Sequence, residues 1–251
     1  MKYYTADELK TTNKEGAHEI LDECDAQLVK FHFGIEAFKN WHKKLFNGNK
    51  QVKVLDLGTG SGGFARQLAD MDCAGNLYGT DIDDYRKNEI KPLYREFKAA
   101  DLSWDSIPWP DNTFDIVTAW CVLPHLENPF YCVREVNRVL KNNGLFIFSV
   151  LHIASKSSAD YFRKNRSFPH YRPTNNHIAL FPNAVVKSAI LKNFELVDTE
   201  YAVRPKIFQG SIKNKIRAIV YALINKYWPA AGKALRRRWA YDAIYTIRKK
   251  L

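Results

Sequence analysis

Residues 52–69 read VKVLDLGTGSGGFARQLA, an apolar run that passes through one acid into a glycine-spaced turn and then into a second apolar pattern. Val52, Val54, Leu55 and Leu57 have the near-continuous apolar character of a strand buried on both faces of a parallel sheet. Phe64 to Ala69 predict a helix. Between them, Gly58-Thr59-Gly60-Ser61-Gly62-Gly63 can adopt positive φ and lacks Cβ atoms at the glycines, so the chain can reverse tightly with its amides flat against a ligand.

The loop fits two patterns, the dinucleotide fingerprint G-x-G-x-x-G (Gly58, Gly60, Gly63) and the D-x-G-x-G-x-G of S-adenosylmethionine (SAM) enzymes (Asp56, Gly58, Gly60, Gly62). Both require a second acid beyond the next strand. Asn76-Leu77-Tyr78-Gly79-Thr80 reads as that strand and Asp81 as the acid, placed to accept from both ribose hydroxyls. The plainer alternative is a helix cap at Asp83 or Asp84 with Asp81 solvated.

Residues 95–120, REFKAADLSWDSIPWPDNTFDIVTAW, favour the second pattern. A third strand ends at Ala100-Asp101, where a carboxylate can accept from an adenine amine while the Leu102 amide donates to the neighbouring ring nitrogen. A turn and a buried fourth strand follow over Asp111 to Trp120. Residues 133–150, VREVNRVLKNNGLFIFSV, read as an amphipathic helix, a turn and a fifth strand.

Together these segments resemble the class I SAM-dependent methyltransferases, of the broad type that includes the quinone-biosynthesis enzymes. The matching text is VLDLGTGSG, Asp81, Asp101, IPWPDNTFDIV, VLPHL and EVNRVLKNNGLFIFSV, in the family's order. It covers residues 50–150 well and 184–203 weakly. Asn142-Asn143 stands where the family usually has Pro-Gly, a change confined to a turn, and asparagine tolerates turn conformations.

The resemblance implies a Rossmann-like α/β fold, a seven-stranded, mostly parallel doubly wound sheet whose last strand is antiparallel. It implies SAM as cofactor, S-adenosyl-L-homocysteine as product, and a site made of Asp56, Gly58, Thr59, Gly60 and Gly62 at the methionine portion. Asp81 and Ile82 would meet the ribose, Asp101 and Leu102 the adenine, with backbone contacts from Trp120 and Cys121. Methyl transfer from a sulfonium needs chiefly alignment and exclusion of water. If the acceptor is a hydroxyl, His125 stands beside the expected methyl position as a candidate general base, the alternative being a structural histidine of the family, with His152 as second candidate base. Asn128-Pro129-Phe130-Tyr131 superficially resembles the N-P-P-[YF] signature of amino-methylating nucleic-acid enzymes, but it begins eight residues beyond Trp120 and lacks the second proline.

The chain divides into N-terminal capping helices (1–50), the SAM-binding core (51–151), an acceptor lid (152–183) and a C-terminal part (184–251) carrying an insertion at 205–238. In residues 17–47, Ile20, Leu21, Leu28, Phe31, Ile35, Phe38, Trp41 and Leu45 follow one stripe. On the resemblance Tyr3, Tyr4 or Phe33 could close the site there, the alternative being plain core packing of these aromatics. The lid carries Tyr161, Arg163, Arg166, His170, Tyr171, Arg172 and His177, a composition suited to an anionic acceptor or simply to a solvated loop. A helix is expected at 184–192, a sixth strand at Phe194 to Val203 and the last strand at Ala240 to Arg248.

A length of 251 residues, 46% hydrophobic and 14% aromatic, is that of a folded globule with one large core. No run is apolar enough to span a bilayer and no secretory h-region is present, so a cytoplasmic protein is expected. Cys24, Cys73, Cys121 and Cys132 have no metal spacing, which disfavours zinc and suits reduced thiols. Of the net charge of +11, residues 204–238 supply ten cations and no acid. Ile212, Ile216, Ile219, Val220, Leu223, Ile224 and Tyr227 fall at helical spacing there, ended by Trp228-Pro229, so this basic amphipathic helix would adsorb to an anionic membrane surface or pack on the protein.

The sequence thus points to methyl transfer onto a small, glycan-type or lipid-linked acceptor, at oxygen, at the inner face of a membrane. An RNA methyltransferase, a non-catalytic SAM-binding protein and a nicotinamide enzyme remain as alternatives. Nucleic acid is disfavoured because the insertion has few interleaved aromatics and no RNA-binding module.

Overall fold

The computed structural model describes residues 24–47, 51–69, 76–169, 171, 176–203, 216, 219–220, 223–224 and 226–250, with side chains from residue 34 onward. The first half contains helix α1 (Cys24–Phe46), strand β1 (Val54–Leu57), helix α2 (Gly63–Leu68), and strands β2 (Leu77–Asp81), β3 (Glu96–Ala99) and β4 (Phe114–Trp120). Then come α3 (Pro129–Val139), β5 (Leu140–Leu151), α4 (Lys156–Asn165), α5 (Asn183–Val185), β6 (Phe194–Ala202), α6 (Pro229–Trp239) and β7 (Asp242–Lys249). A π-turn over Val186–Ile190 continues α5.

The strands form one sheet in the order β3-β2-β1-β4-β5-β7-β6. Pairing is parallel from β3 through β5, whereas β7 runs antiparallel to both β5 and β6. The expected seven strands and the antiparallel last strand are both present. The order reverses at β1, and the crevice beyond the carboxyl ends of β1 and β4 is where open α/β sheets hold ligands.

Strand periodicity divides the core between the two faces. Leu55, Leu57, Val117, Ala119, Phe146 and Phe148 point to one face and pack with Val133 and Val136 of α3 and with Val186 and Ile190. Val54, Ile116, Leu145, Ile147 and Ile244 point to the other, beneath Ile35 and Phe38 of α1 and Phe64, Ala65 and Leu68 of α2. Residues buried on both sides explain the continuous hydrophobic text of β1 and β4. Of the expected α1 stripe, Ile35 and Phe38 are buried and Leu45 is exposed. Tyr3, Tyr4, Ile20, Leu21, Cys73 and the side chains of Cys24, Leu28, Phe31 and Phe33 lie outside the described residues.

Local chemistry sets several boundaries. Asn128 caps α3, its side chain accepting from Tyr131 N at 3.2 Å, and Pro129 takes the first helical position, where a missing N–H costs nothing. The Asn128-Pro129-Phe130-Tyr131 segment is therefore a helix start. Asn143 adopts φ 63 in the turn within β5, the left-handed conformation expected of asparagine there. Arg138 ties the proline-rich turn to α3, donating to the carbonyls of Trp109 and Ile107 and pairing with Asp111 and Glu135.

Two segments differ from the sequence reading. The segment 152–183, expected as a lid, contains a ten-residue helix, α4, capped by Ser155, whose hydroxyl accepts from Ser158 N at 3.1 Å. In the insertion the helical run stops at Trp228-Pro229 as expected, and the unexpected feature is a further helix, α6, which Pro229 opens with Trp228 as its cap, as proline at a first helical position allows. Ile212, Lys213 and Arg217 lie outside the described residues. At the described positions, Ile216, Ile219, Val220, Leu223, Tyr227 and Trp228 are exposed, reaching 62% for Ile219 and 64% for Trp228.

Candidate active site

The glycine turn is held over the end of β2. Gly58 N donates to Thr80 O at 2.8 Å and Gly62 N to Thr59 O at 2.9 Å, with φ of 65°, 49° and 87° at Gly58, Gly60 and Gly62. The three glycines serve different needs. A Cβ on Gly58 would meet Val122 at 2.4 Å and one on Gly62 would meet Ile90 at 2.3 Å, whereas one on Gly60 would meet no protein atom within 4 Å. Gly60 therefore faces open space at the tip of the loop.

Asp81 ends β2 and binds that loop. Its Oδ2 accepts from Gly60 N at 2.9 Å and its Oδ1 from Ile82 N at 2.8 Å. Each carboxylate oxygen retains a lone pair, so both can still accept from a ligand hydroxyl. Burial pushes the Asp81 carboxyl up to about 6 against the lowering effect of those two amides.

Asp56, at the carboxyl end of β1, is 1% exposed. It accepts from Tyr94 Oη at 2.8 Å and Thr118 Oγ1 at 3.0 Å. Burial outweighs these bonds and pushes its carboxyl up to about 7. The sequence gives no sign of Tyr94 or Thr118 as its partners, because they come from the approach to β3 and from β4.

Asp101 lies beside Asp81, since Ala100 N donates to Asp81 O at 2.9 Å. Its Oδ1 accepts from Ser103 N at 3.0 Å and its own N–H donates to Asp105 Oδ2 at 2.9 Å, which fixes the turn around Leu102. The two acids and the glycine turn are thus gathered at one rim of the sheet. Thr59 Oγ1, Thr80 Oγ1, Tyr85 Oη and Trp120 Nε1 are buried polar atoms with no hydrogen-bond partner. Burial, with the nearby charges of Asp81 and Asp83, pushes the Tyr85 phenol up to about 12.

Trp120 ends β4 with its ring against Phe64 at 5.4 Å, and a Cβ on Gly34 would stand 2.3 Å from that ring. Glycine inside the helical pattern of α1 was the visible signal for this close approach. Cys121 takes φ 55, donating its N–H to Ser149 Oγ at 2.9 Å. Cys121 and Cys132 are both buried, and Cys121 Sγ lies 3.6 Å from Asp242 Oδ1.

His125 is half-buried on the turn after β4. Its Nδ1 lies 3.0 Å from Asn176 O, and its ring packs on His177 at 4.3 Å. Ile178 N and Ala179 N donate to Pro124 O at 2.8 and 3.1 Å, so the far end of the lid is sewn to the His125 turn. Tyr171 belongs to the same cluster, 5.5 Å from His177.

His152 is placed elsewhere. It is 4% exposed, its Nε2 is 3.0 Å from Arg237 O, and burial lowers its pKa. That ring joins β5 to α6. Nor do the lid arginines converge, since Arg163 pairs with Asp160 and Arg166 caps the end of α4. His170 and Arg172 lie outside the described residues.

The family model that matches residues 55–148 is described as a methyltransferase domain, and it takes in the glycine turn, Asp81, Asp101 and most of β5. Residues 55–148 are thus a methyltransferase domain of the class I SAM-dependent type. Demethylmenaquinone methyltransferase of Chlorobaculum tepidum is 25% identical over 187 residues, 68% of this chain and 75% of that one. Sarcosine/dimethylglycine N-methyltransferase of Aphanothece halophytica is 30% identical over 111 residues, 42% of this chain. The chain spans less than half the length of the first curated relatives it matches, 40% in the Aphanothece enzyme. The crystal structure of a SAM-dependent methyltransferase from Archaeoglobus fulgidus shares the fold of the methyltransferase domain, with a TM-score of 0.52 and 19% identity over 85% of this chain and 94% of that one.

The residues present fit SAM. A purine nucleoside needs an acceptor pair for its ribose and an open backbone for close approach, and Asp81 and Gly60 supply them at 2.9 Å from one another. Among the described residues no cluster of histidine, cysteine or acidic side chains could hold a metal, and no helix is long and apolar enough to cross a membrane.

Proposed function

We propose that the protein transfers the methyl group of SAM to an oxygen of a small, glycan-type or lipid-linked acceptor at a membrane surface. The observation that carries the donor part is the joint placement of Asp81 and Gly60. One carboxylate holds the turn through the Gly60 amide, and that glycine has open space where a Cβ would stand. In this reading Asp81 and Ile82 hold the ribose, Asp101 and Leu102 the adenine, and Asp56, Gly58, Thr59, Gly60 and Gly62 surround the methionine portion. Trp120 and Cys121 line it from β4.

Bound SAM supplies an activated methyl group, so the protein's contribution is alignment and exclusion of water. Buried Asp56 offers negative charge toward the cationic end of the donor. At His125, a carbonyl only accepts, so Nδ1 carries the hydrogen and the lone pair of the neutral ring lies on Nε2. That tautomer suits a base for an acceptor hydroxyl, and the lid residues 176–179 hold it. His152, with Nε2 engaged inside the fold, supports no such role.

The surface part rests on the exposed apolar side chains from Ile216 to Trp228 within a stretch of ten cations and no acid. The names of the relatives cover N-methyl transfer and a quinone precursor, so the acceptor is to be found by experiment. Extracts incubated with the protein and isotope-labelled SAM, with and without membranes, should yield one new labelled species by mass spectrometry, enriched when membranes are present. Calorimetry that finds affinity for NAD but none for SAM or S-adenosyl-L-homocysteine would overturn the proposal.

A further inference from the structure

The ten cations of residues 204–238 are not equivalent. Lys233 pairs with Asp198 at 2.7 Å and Glu200 at 3.4 Å, and Arg236 pairs with Glu200 at 3.1 Å. Those two fasten α6 to β6. Arg237 and Arg238 are exposed and have no carboxylate partner among the described residues. Both line an open concavity of about 430 Å³ between the start of α4 and the end of α6, together with Ser155, Lys156, Ala159 and Ala234.

Like charges are held together there. Lys156 Nζ and the Arg238 guanidinium each lie 5.8 Å from the centroid of the same Trp239 ring, which can attract both cations but neutralises neither. Asp160 is the carboxylate in reach of Lys156, and it is shared with Arg163. Lys156, Arg163, Arg237 and Arg238 thus have one carboxylate among them, Asp160, so this side of the concavity carries more positive charge than its surroundings offset. A phosphate ester has the complementary charge, and its oxygens match the planar donor fork of arginine.

The exposed segment is continuous with this concavity. Trp228 N donates to Ile224 O at 2.8 Å and Gly232 N to Trp228 O at 2.9 Å, joining the exposed apolar positions to α6. Apolar side chains followed by a cluster of cations in excess of the nearby carboxylates have the order of an interfacial element, with hydrocarbon contact flanked by headgroup contact. We infer that the concavity between α4 and α6 is a phosphate site that takes the headgroup of an anionic phospholipid while Ile219, Leu223 and Trp228 enter the interface. It rests on the membrane-surface reading above and is separate from the cofactor reading.

The test is co-sedimentation of the whole chain with phosphatidylcholine vesicles, with and without phosphatidylglycerol. Arg237→Gln/Arg238→Gln should weaken binding to the anionic vesicles by about tenfold or more, leave the weak binding to neutral vesicles unchanged, and leave S-adenosyl-L-homocysteine affinity unchanged by calorimetry. Glycerol 3-phosphate should compete only weakly, since it lacks the acyl chains. Pelleting that the arginine pair does not alter, but that Ile219→Ser/Trp228→Ser abolishes, overturns the phosphate site and keeps the membrane contact. Tight glycerol 3-phosphate binding without pelleting also overturns the assignment, in favour of a soluble phosphate ester. Normal cofactor affinity in these variants keeps a failure here distinct from a failure of the methyl-transfer reading.

Discussion

The phenol of Tyr94 donates to the carboxylate of Asp56 at 2.8 Å across the width of β2, with Gly79 between them. A Cβ on Gly79 would stand 2.8 Å from the Tyr94 ring, so glycine in the middle of β2 is what lets the two meet. Tyr94→Phe removes the donor and leaves a buried carboxyl with one side-chain bond, from Thr118. The expected cost is about 1–3 kcal/mol in urea denaturation, with weaker SAM binding by calorimetry at neutral pH because the Asp56 carboxyl rises further.

The glycines of the turn should separate stability from affinity. Gly58→Ala meets Val122 and has a positive φ, so it should unfold at clearly lower urea, with a loss of about 2–4 kcal/mol. Gly60→Ala meets no protein atom and pays only for its backbone conformation, about 1–2 kcal/mol. Its methyl group occupies the space above the turn, so SAM affinity should fall by about a hundredfold or more. Equal affinity in wild type and Gly60→Ala would place the ligand elsewhere.

The two buried acids set a pH dependence. In the folded chain Asp56 sits at about 7 and Asp81 at about 6, whereas exposure on unfolding returns both toward 3.8. Between those values the folded state binds more protons, so the contribution of these groups to stability is full below about pH 4 and is lost as pH rises through 6 and 7. The Tm of the ligand-free chain should therefore show a component that declines over that interval, and Asp56→Asn should flatten it. Donor binding runs the other way, because SAM carries a net positive charge. Its affinity should rise over the same interval, with proton release visible as a buffer-dependent heat.

Asp81→Asn keeps the size of the side chain but replaces one acceptor oxygen by a donor nitrogen, which cannot accept from Gly60 N and a ribose hydroxyl together. SAM affinity should drop by about thirtyfold or more, since a charge-assisted pair of bonds is lost. Retained affinity would separate this carboxylate from the nucleoside.

His125→Gln should leave cofactor affinity unchanged and, once an acceptor is identified, lower turnover by about two to four powers of ten. Full turnover in His125→Ala would remove the imidazole from the chemistry and leave it as the anchor of Asn176.

The sheet was legible because its signals are local. Strand β1, the glycine turn and Asp81 each follow from a few adjacent residues, and the unusual Asn142-Asn143 turn resolves into one left-handed asparagine. The partners of those residues were not legible, because Tyr94, Thr118 and Ser149 are polar side chains whose significance comes only from strand register. Helix α4 was concealed by its composition, since only Ser158 among its residues is buried and no apolar stripe marks it. His152 shows the converse: its position after β5 suggested chemistry, and the packing of α6 over it gave the ring a structural partner.

The placement of β7 between β5 and β6 separates the order of synthesis from the order of assembly. When a ribosome has made residues up to Trp239, β6 has no neighbouring strand and the edge of β5 stands open. Closure of that half waits for Asp242–Lys249, so a nonsense codon removing only that strand would strand β6 and bare a hydrophobic sheet margin to aggregation and proteases, while the nucleotide-facing half could already have formed.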